Sequence, residues 1–259
     1  MVKLVEVKLE GEELGDNEEC LLMYSLLCEL IKEGWIFENK DIALELCEGY
    51  YNVLKEPYCH RCAMPGVKTE ECRCRESLYG FSRIYVMGVY YPRRFGKEDL
   101  LSKHVLSLKS DKRYAKPLGV ALSTIIKNKY PELCSADLIT EVPLDREKYL
   151  ERGFNQSLEL AKIMGSQLGI EVEHLLGKNE PFSMKGKSYD ERREIVQGKF
   201  QVFSWKKDIV RAKHILLVDD IVTSGFTVSE CSKMLIEAGA KRVDVVALAR
   251  TVPGGYKYV

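Results

Sequence analysis

The stretch Ile215 to Thr227, ILLVDDIVTSGFT, carries an apolar run into two adjacent acids and then into a turn of hydroxyls and one glycine. HILLVD reads as a strand, and the pattern from Thr227 to Ala238, closed by Gly239, reads as a helix. The order is strand, acids, hydroxyl loop, helix. A helix start offers unpaired backbone N–H groups and the positive end of a dipole, so Thr223, Ser224, Gly225, Phe226 and Thr227 stand where a phosphate monoester would be held. Gly225 lets the backbone approach such a group closely. Asp219 and Asp220 would repel a phosphate, but they suit vicinal hydroxyls, which donate to carboxylates. Hydroxyls beside a phosphate make the pattern of a ribose 5-phosphate. The alternative is an ordinary strand ending in Asp-Asp before a capped helix, which any α/β protein can contain.

Outward from this loop, short apolar runs alternate with helical patterns. IYVMGVYY, DLITEV, GKFQVF and VDVVALA read as strands; Asp99 to Leu108, Leu118 to Ile126 and Ser157 to Leu168 read as helices. Such alternation predicts an α/β fold with a mostly parallel sheet flanked by helices. In such sheets ligands bind beyond the carboxyl ends of strands. The second strand end to inspect is therefore VPLDREKYLERGFNQS, after DLITEV. There Pro143 and Leu144 close the strand, and Arg152 beside Gly153 offers a cation that can chelate phosphate oxygens. Arg146 and Lys148 fit a solvated charged loop better.

Towards the amino terminus, Leu22, Leu26 and Leu30 and then Ala43, Leu46 and Tyr50 fall at helical spacing. Between Pro57 and Ser77 that spacing gives way to Cys, Pro and Gly. Cys59, Cys62, Cys72 and Cys74 follow a CxxC and a CxC pattern, and four thiolates from two short knuckles satisfy tetrahedral zinc with no position left open for a substrate. The site reads as structural; chance clustering or a redox pair is the alternative. His60 reads as exposed rather than coordinating, and Cys20, Cys28, Cys47, Cys134 and Cys231 as buried thiols. The expected organisation is a helical extension over residues 1–56, a cysteine-rich zinc module over 57–80 and a ligand-binding domain over 81–259.

Apolar residues are 46% and charged residues 30% of the chain, as in ordinary globular proteins. Thirty-nine basic residues balance thirty-nine acidic ones. The whole molecule thus lacks the positive field of a non-specific nucleic-acid binder, and direct binding would need a local basic strip such as Lys185 to Arg193. No signal peptide or membrane-length apolar run is read, which predicts a cytoplasmic protein without membrane attachment.

DDIVTSGFT resembles the phosphoribosyl pyrophosphate (PRPP) signature of type I phosphoribosyltransferases. By that resemblance Asp219 and Asp220 hold the ribose hydroxyls, and Thr223 to Thr227 wrap the 5-phosphate. RGFNQS after VPL narrows the resemblance to the ComF family of competence-associated phosphoribosyltransferase-like proteins. LSLKSDKRYAKPLG, with Lys109, is similar to the stretch ahead of that family's first catalytic-domain helices. MKGKSYDERREIVQGKF resembles its mobile loop, with Lys185, Lys187, Arg192 and Arg193 as contacts to pyrophosphate. Three positions depart from the family pattern: Phe226 replaces a small residue, Met184 a glutamine and Ile195 an asparagine. The CxC knuckle, too, stands where the family has CxxC. The resemblance implies magnesium-bound PRPP as substrate, an unidentified base or amine as acceptor, and pyrophosphate as product. It equally accommodates a non-catalytic PRPP- or nucleotide-sensing module that docks to DNA-processing proteins. The Cys-rich and helical appendages would suit partner surfaces or a homodimer, and Tyr85 to Tyr91 or the carboxyl-terminal PGGYKYV are candidates for recognising the acceptor.

Overall fold

A computed structural model of the chain describes residues 47, 51, 53–72, 74, 80–92, 99–180, 182 and 186–251. The helices expected between Glu18 and Tyr50 lie outside the described residues, apart from Cys47, which is helical and buried, and so does PGGYKYV.

Strand β1 (Ile84–Tyr90) leads to helices α1 (Leu100–Ser107) and α2 (Ala115–Lys129). Strand β2 (Leu138–Glu141) is followed by α3 (Arg146–Arg152) and α4 (Gln156–Leu168), then by the short strands β3 (Glu171–Val172) and β4 (Leu176–Lys178). Helix α5 (Tyr189–Val196), β5 (Phe200–Val202) and the single turn α6 (Lys207–Val210) precede β6 (His214–Val222), α7 (Phe226–Glu237) and β7 (Arg242–Thr251). The main sheet has five strands in the order β1-β7-β6-β2-β3. Every pairing in it is parallel.

Side chains alternate across a strand, and here both faces are covered. Leu216 and Val218 of β6 join Tyr85, Met87, Ile139, Val246 and Leu248 on one face, against Leu101 and Val105 of α1, Leu118 and Leu122 of α2 and Leu160 and Met164 of α4. Ile215 and Leu217 turn to the other face with Ile84, Leu138, Val243 and Val245, against Val228, Cys231 and Leu235 of α7. Fully burying one such side chain contributes about 1.5–3 kcal/mol relative to leaving it in water. The two-sided burial is why these strands read as unbroken apolar runs.

GKFQVF is not part of this sheet. Phe200–Val202 pairs antiparallel with Leu176–Lys178 in a separate two-stranded ribbon. Phe200 and Val202 are buried and Gln201 is exposed, the one-sided alternation of an antiparallel strand. The expected loop after DLITEV also contains a helix, α3, which has no buried residue and so shows no apolar stripe in the sequence. Tyr85 of β1 and Tyr91 just beyond it are buried, Tyr90 is half-buried, and the Tyr85 hydroxyl donates to Glu132 Oε1 at 3.2 Å.

Segment 51–72 closes the outer edge of the sheet. Val53 bridges antiparallel to Gly88, Leu54 N–H donates to the Met87 carbonyl at 2.7 Å, and Ile84 N–H to the His60 carbonyl at 2.8 Å. At the opposite edge, a Cβ on Gly165 would come within 2.3 Å of Val172 Cγ2 and 2.8 Å of the Ile170 carbonyl oxygen. Gly165→Ala is therefore expected to destabilise the protein by about 1–3 kcal/mol. Thermal unfolding would show this as a lower Tm with the ligand-binding loop unaltered.

Candidate functional site

Strand β6 runs beyond its apolar stretch, in register with β7 through Asp219 opposite Ala247, Ile221 opposite Ala249 and Val222 opposite Arg250. The paired acids thus belong to the strand itself. Asp219 Oδ1 accepts hydrogen bonds from Asp220 N–H at 3.0 Å and Ser157 Oγ at 3.2 Å, while Asp220 Oδ1 accepts from Ile221 N–H at 2.7 Å. Burial, and then the charge of Asp220, push the Asp219 carboxyl well above the usual range; the bonds from Asp220 and Ser157 and the charge of Lys109 pull the other way.

After Val222 the chain turns through Thr223, exposed, and Ser224, half-buried, to Gly225 at φ 86°. That left-handed conformation favours glycine. No side chain caps the start of α7, so its first-turn N–H groups are not claimed by a capping oxygen. Thr227 is half-buried on the first turn. Phe226, which replaces the small residue of the resembled loop, is 2% exposed and belongs to the core under the sheet. What it can offer a ligand is its backbone.

The second strand end supplies the cations. Gly153, at φ 77°, ends α3, and Asn155 caps α4 by accepting from Ser157 N–H at 3.1 Å while donating to the Val142 carbonyl at 3.1 Å. This geometry brings RGFNQS back against β6. Arg152 Nη1 donates to Gln156 Oε1 at 3.0 Å, and Gln156 Nε2 to the Lys109 carbonyl at 3.4 Å. Lys109, Arg152, Gln156, Ser157 and Asp219 are therefore linked, and the part played by Ser157, read in the sequence only as a helix start, is new. Arg146 and Lys148 are exposed, as expected of them.

Pro143 and Leu144 do not join this group. They line a separate cavity of about 660 Å³ with Glu141, Asp145, His174 and Lys178. None of those four charged side chains was singled out in the sequence. Asp145 Oδ2 meets Lys178 Nζ at 2.5 Å, and Glu141 is bonded to His174 Nδ1, which raises the His174 pKa. Such pairs join positions 33 residues apart in the chain, and no motif announces them.

Of the expected mobile loop, Met184 and Lys185 lie outside the described residues. The rest folds as α5, whose Ser188 and Glu191 form a reciprocal cap. Arg192 Nε donates to the Lys187 carbonyl at 3.0 Å and Lys187 pairs with Glu191 at 3.4 Å, so these groups are bonded within their own turn.

Cys59, Cys62, Cys72 and Cys74 come together with their sulfurs all within 4.8 Å, and the pairs Cys59–Cys74 and Cys62–Cys72 are each 3.6 Å apart. Tetrahedral zinc with bonds of about 2.3 Å puts sulfurs about 3.8 Å apart, so the four can hold a metal such as zinc. The CxC knuckle contributes both of its thiols. His60 stays outside the cluster, paired with Glu56 at 3.4 Å. Cys47 and Cys231 are buried as expected, whereas Cys134 is partly exposed.

The phosphoribosyl transferase domain family matches residues 155–257, a span that begins at the cap of α4 and takes in the whole β6 loop. Competence protein ComFC of Streptococcus pneumoniae is 29% identical over 83% of this chain and 91% of its own length. The chain is thus similar over most of its length to a ComF protein. DNA utilization protein YhgH of Escherichia coli K12 is 26% identical over 75% of this chain and 84% of its own. Among solved structures, the glutamine PRPP amidotransferase of B. subtilis is 26% identical, with a TM-score of 0.35 over 51% of this chain and 25% of that one; this chain spans about a quarter of that enzyme's length. Among the described residues no helix is long and apolar enough to cross a membrane.

Because folding lifts the Asp219 pKa, the native state holds a proton there between the ordinary carboxylate pKa and the lifted one. Stability from this group is therefore lost as pH rises through that window. Asp219→Asn is expected to raise Tm at neutral pH by about 2–4 °C, the shift that roughly 1 kcal/mol gives in a chain of this size. The gain should shrink as the pH is lowered towards 4. An unchanged or lower Tm at pH 7 would contradict the desolvated environment of this acid.

Proposed function

We propose that this protein binds PRPP with magnesium and transfers the phosphoribosyl group to a base or amine, releasing pyrophosphate. The observation that carries the reading is the juxtaposition of Asp219 and Asp220 with an uncapped helix start on one side and the Lys109–Arg152–Gln156 group on the other. Asp219 and Asp220 accept hydrogen bonds from the ribose hydroxyls. The turn from Thr223 to Thr227 takes the 5-phosphate on its backbone N–H groups and hydroxyls. Arg152 and Lys109 face the charge that grows on the departing pyrophosphate, and Lys185 and Arg192 approach it only if the α5 segment releases its internal bonds. The chemistry requires no protein nucleophile; preorganised charge stabilises a positive ribose ring and a negative leaving group. Magnesium, held by substrate oxygens and water, would neutralise part of that leaving charge.

A second reading is supported by the printed names of the relatives, which concern competence and DNA utilization. In it the same site senses PRPP or a nucleotide, and the cysteine module presents a surface to a DNA-processing protein. The site also fits this role, because ribose 5-phosphate recognition and pyrophosphate release rest on different residues.

PRPP with magnesium at about 100 times its Kd should raise Tm by about 5–10 °C, the effect of roughly 2.7 kcal/mol of binding free energy on a chain of this size. The Asp219→Asn, Asp220→Asn double variant should show no shift. A parent protein whose Tm responds neither to PRPP nor to nucleotides would exclude both readings. Pyrophosphate release assayed across bases and amines then separates them, since turnover with any acceptor marks the enzyme and binding without turnover the sensor.

For the cysteine cluster we propose structural zinc. Elemental analysis should find one zinc per chain, and Cys62→Ser should lose it together with thermal stability. Full stability in the metal-free protein would refute this assignment.

A further inference from the structure

A second cavity, of about 400 Å³, opens where segment 54–58 meets the end of α2, and it is lined by Leu54, Lys55, Glu56, Tyr58, Lys129 and Tyr130. It shares no lining residue with the Pro143 cavity or with the turn after β6. Its polar groups are unevenly matched. Glu56, the acid in this wall, is engaged at both oxygens: Oε2 accepts from Tyr58 N–H at 3.1 Å, and Oε1 lies 3.4 Å from His60 Nε2. The hydroxyls of Tyr58 and Tyr130 are 2.5 Å apart and bond to each other. Two phenols carry two protons at neutral pH, and the bond between them uses one. Lys55 is exposed and forms no ion pair with a described residue. The wall therefore holds a spare hydroxyl proton and an unpaired cation, and its own acceptors are already taken.

The frame around these donors is fixed. Tyr130 packs on Tyr85 with ring centroids 4.6 Å apart, and Tyr58 on His60 at 4.8 Å. Lys129, in the last turn of α2, offsets the negative end of that helix, which would otherwise oppose an anion. Leu54 and the two tyrosine rings make the remaining wall apolar, and the volume is many times that of a water molecule. We propose that this cavity binds a small organic carboxylate with an apolar body. Tyr58, buried, donates to the half-buried Tyr130, whose own O–H turns into the cavity. One carboxylate oxygen accepts from that O–H and the other pairs with Lys55, while the apolar body lies against Leu54 and the Tyr130 ring. This site does not rest on the PRPP reading.

Calorimetric titration of the full-length protein with phenylacetate tests it, because that probe joins one carboxylate to a compact apolar body and carries neither sugar nor phosphate. Binding is expected, with phenylacetamide, which has the same shape but no charge, weaker by about tenfold or more. Tyr130→Phe keeps the ring and removes the spare donor, and should weaken phenylacetate about tenfold. The surface change Lys55→Ala, which leaves the core untouched, should weaken it about threefold. Inorganic phosphate, an anion with no apolar body, should bind more weakly than phenylacetate. The proposal is overturned by absence of binding, by equal affinity for the acid and the amide, by undiminished affinity in either the Tyr130→Phe or the Lys55→Ala protein, or by tighter binding of inorganic phosphate.

Discussion

Burial of β6 on both faces is the constraint on which the rest of the molecule depends. Ile215 and Leu217 are packed under the sheet and Leu216 and Val218 over it, all at 0% exposure. A strand enclosed in this way has no side on which to place a polar residue until it reaches its carboxyl end. Asp219 and Asp220 stand at the first positions where the sheet allows a charge, and Asp219 is still desolvated there. The fold tolerates the cost because the adjacent helix starts compensate in part: Ser157 at the head of α4 donates to the acid, and Lys109 acts on it through charge. A carboxylate held this way is short of donors. That shortage lowers stability and also makes the site selective for hydroxyl groups, the usual conflict between a strained site and a relaxed fold.

What could be read from the sequence was whatever the chain repeats locally. The β6 loop was legible because its strand, acids, turn and helix are contiguous, and RGFNQS because an Asn immediately before a helical pattern is a capping signal that fixes where Gln156 and Ser157 point. Cys59 to Cys74 were legible from their spacing alone. The burial of Phe226 was not legible, for a definable reason. It is the first residue of α7 rather than the last of the loop, and a large apolar side chain at that position turns back towards the core. Helix α3 intervenes between Pro143 and Leu144 and Arg152, and a helix with no buried face leaves no periodic trace in the sequence. The pairs Glu141–His174 and Asp145–Lys178 depend on the register of the β4–β5 ribbon against β2, which nothing local encodes.

The two strand-end regions divide the labour of the carboxyl edge. Around Asp219 the groups are connected to one another through Ser157, Gln156, Arg152 and Lys109, so a change at one is felt along the chain of bonds. Glu141 is paired with His174, and Asp145 with Lys178 and, at 3.7 Å, Lys148, beside a cavity with aromatic and aliphatic walls. Asn155 stands between them, capping α4 for the first region and lining the cavity of the second.

Arg250 ties the cysteine module to the same edge. It lies on β7 opposite Val89 of β1 and opposite Val222, the last residue of β6, whose carbonyl accepts from its Nη1 at 3.4 Å. It is 4% exposed, and a guanidinium buried to that degree needs negative partners. The cluster supplies them: the Arg250 charge favours the Cys62 thiolate, against the Cys59 hydrogen bond and burial that push this thiol up. The residue that neutralises the cluster also holds the carbonyl from which the chain departs into Thr223, Ser224 and Gly225. The module at the outer edge of the sheet is thereby connected, through one side chain, to the start of the turn after β6.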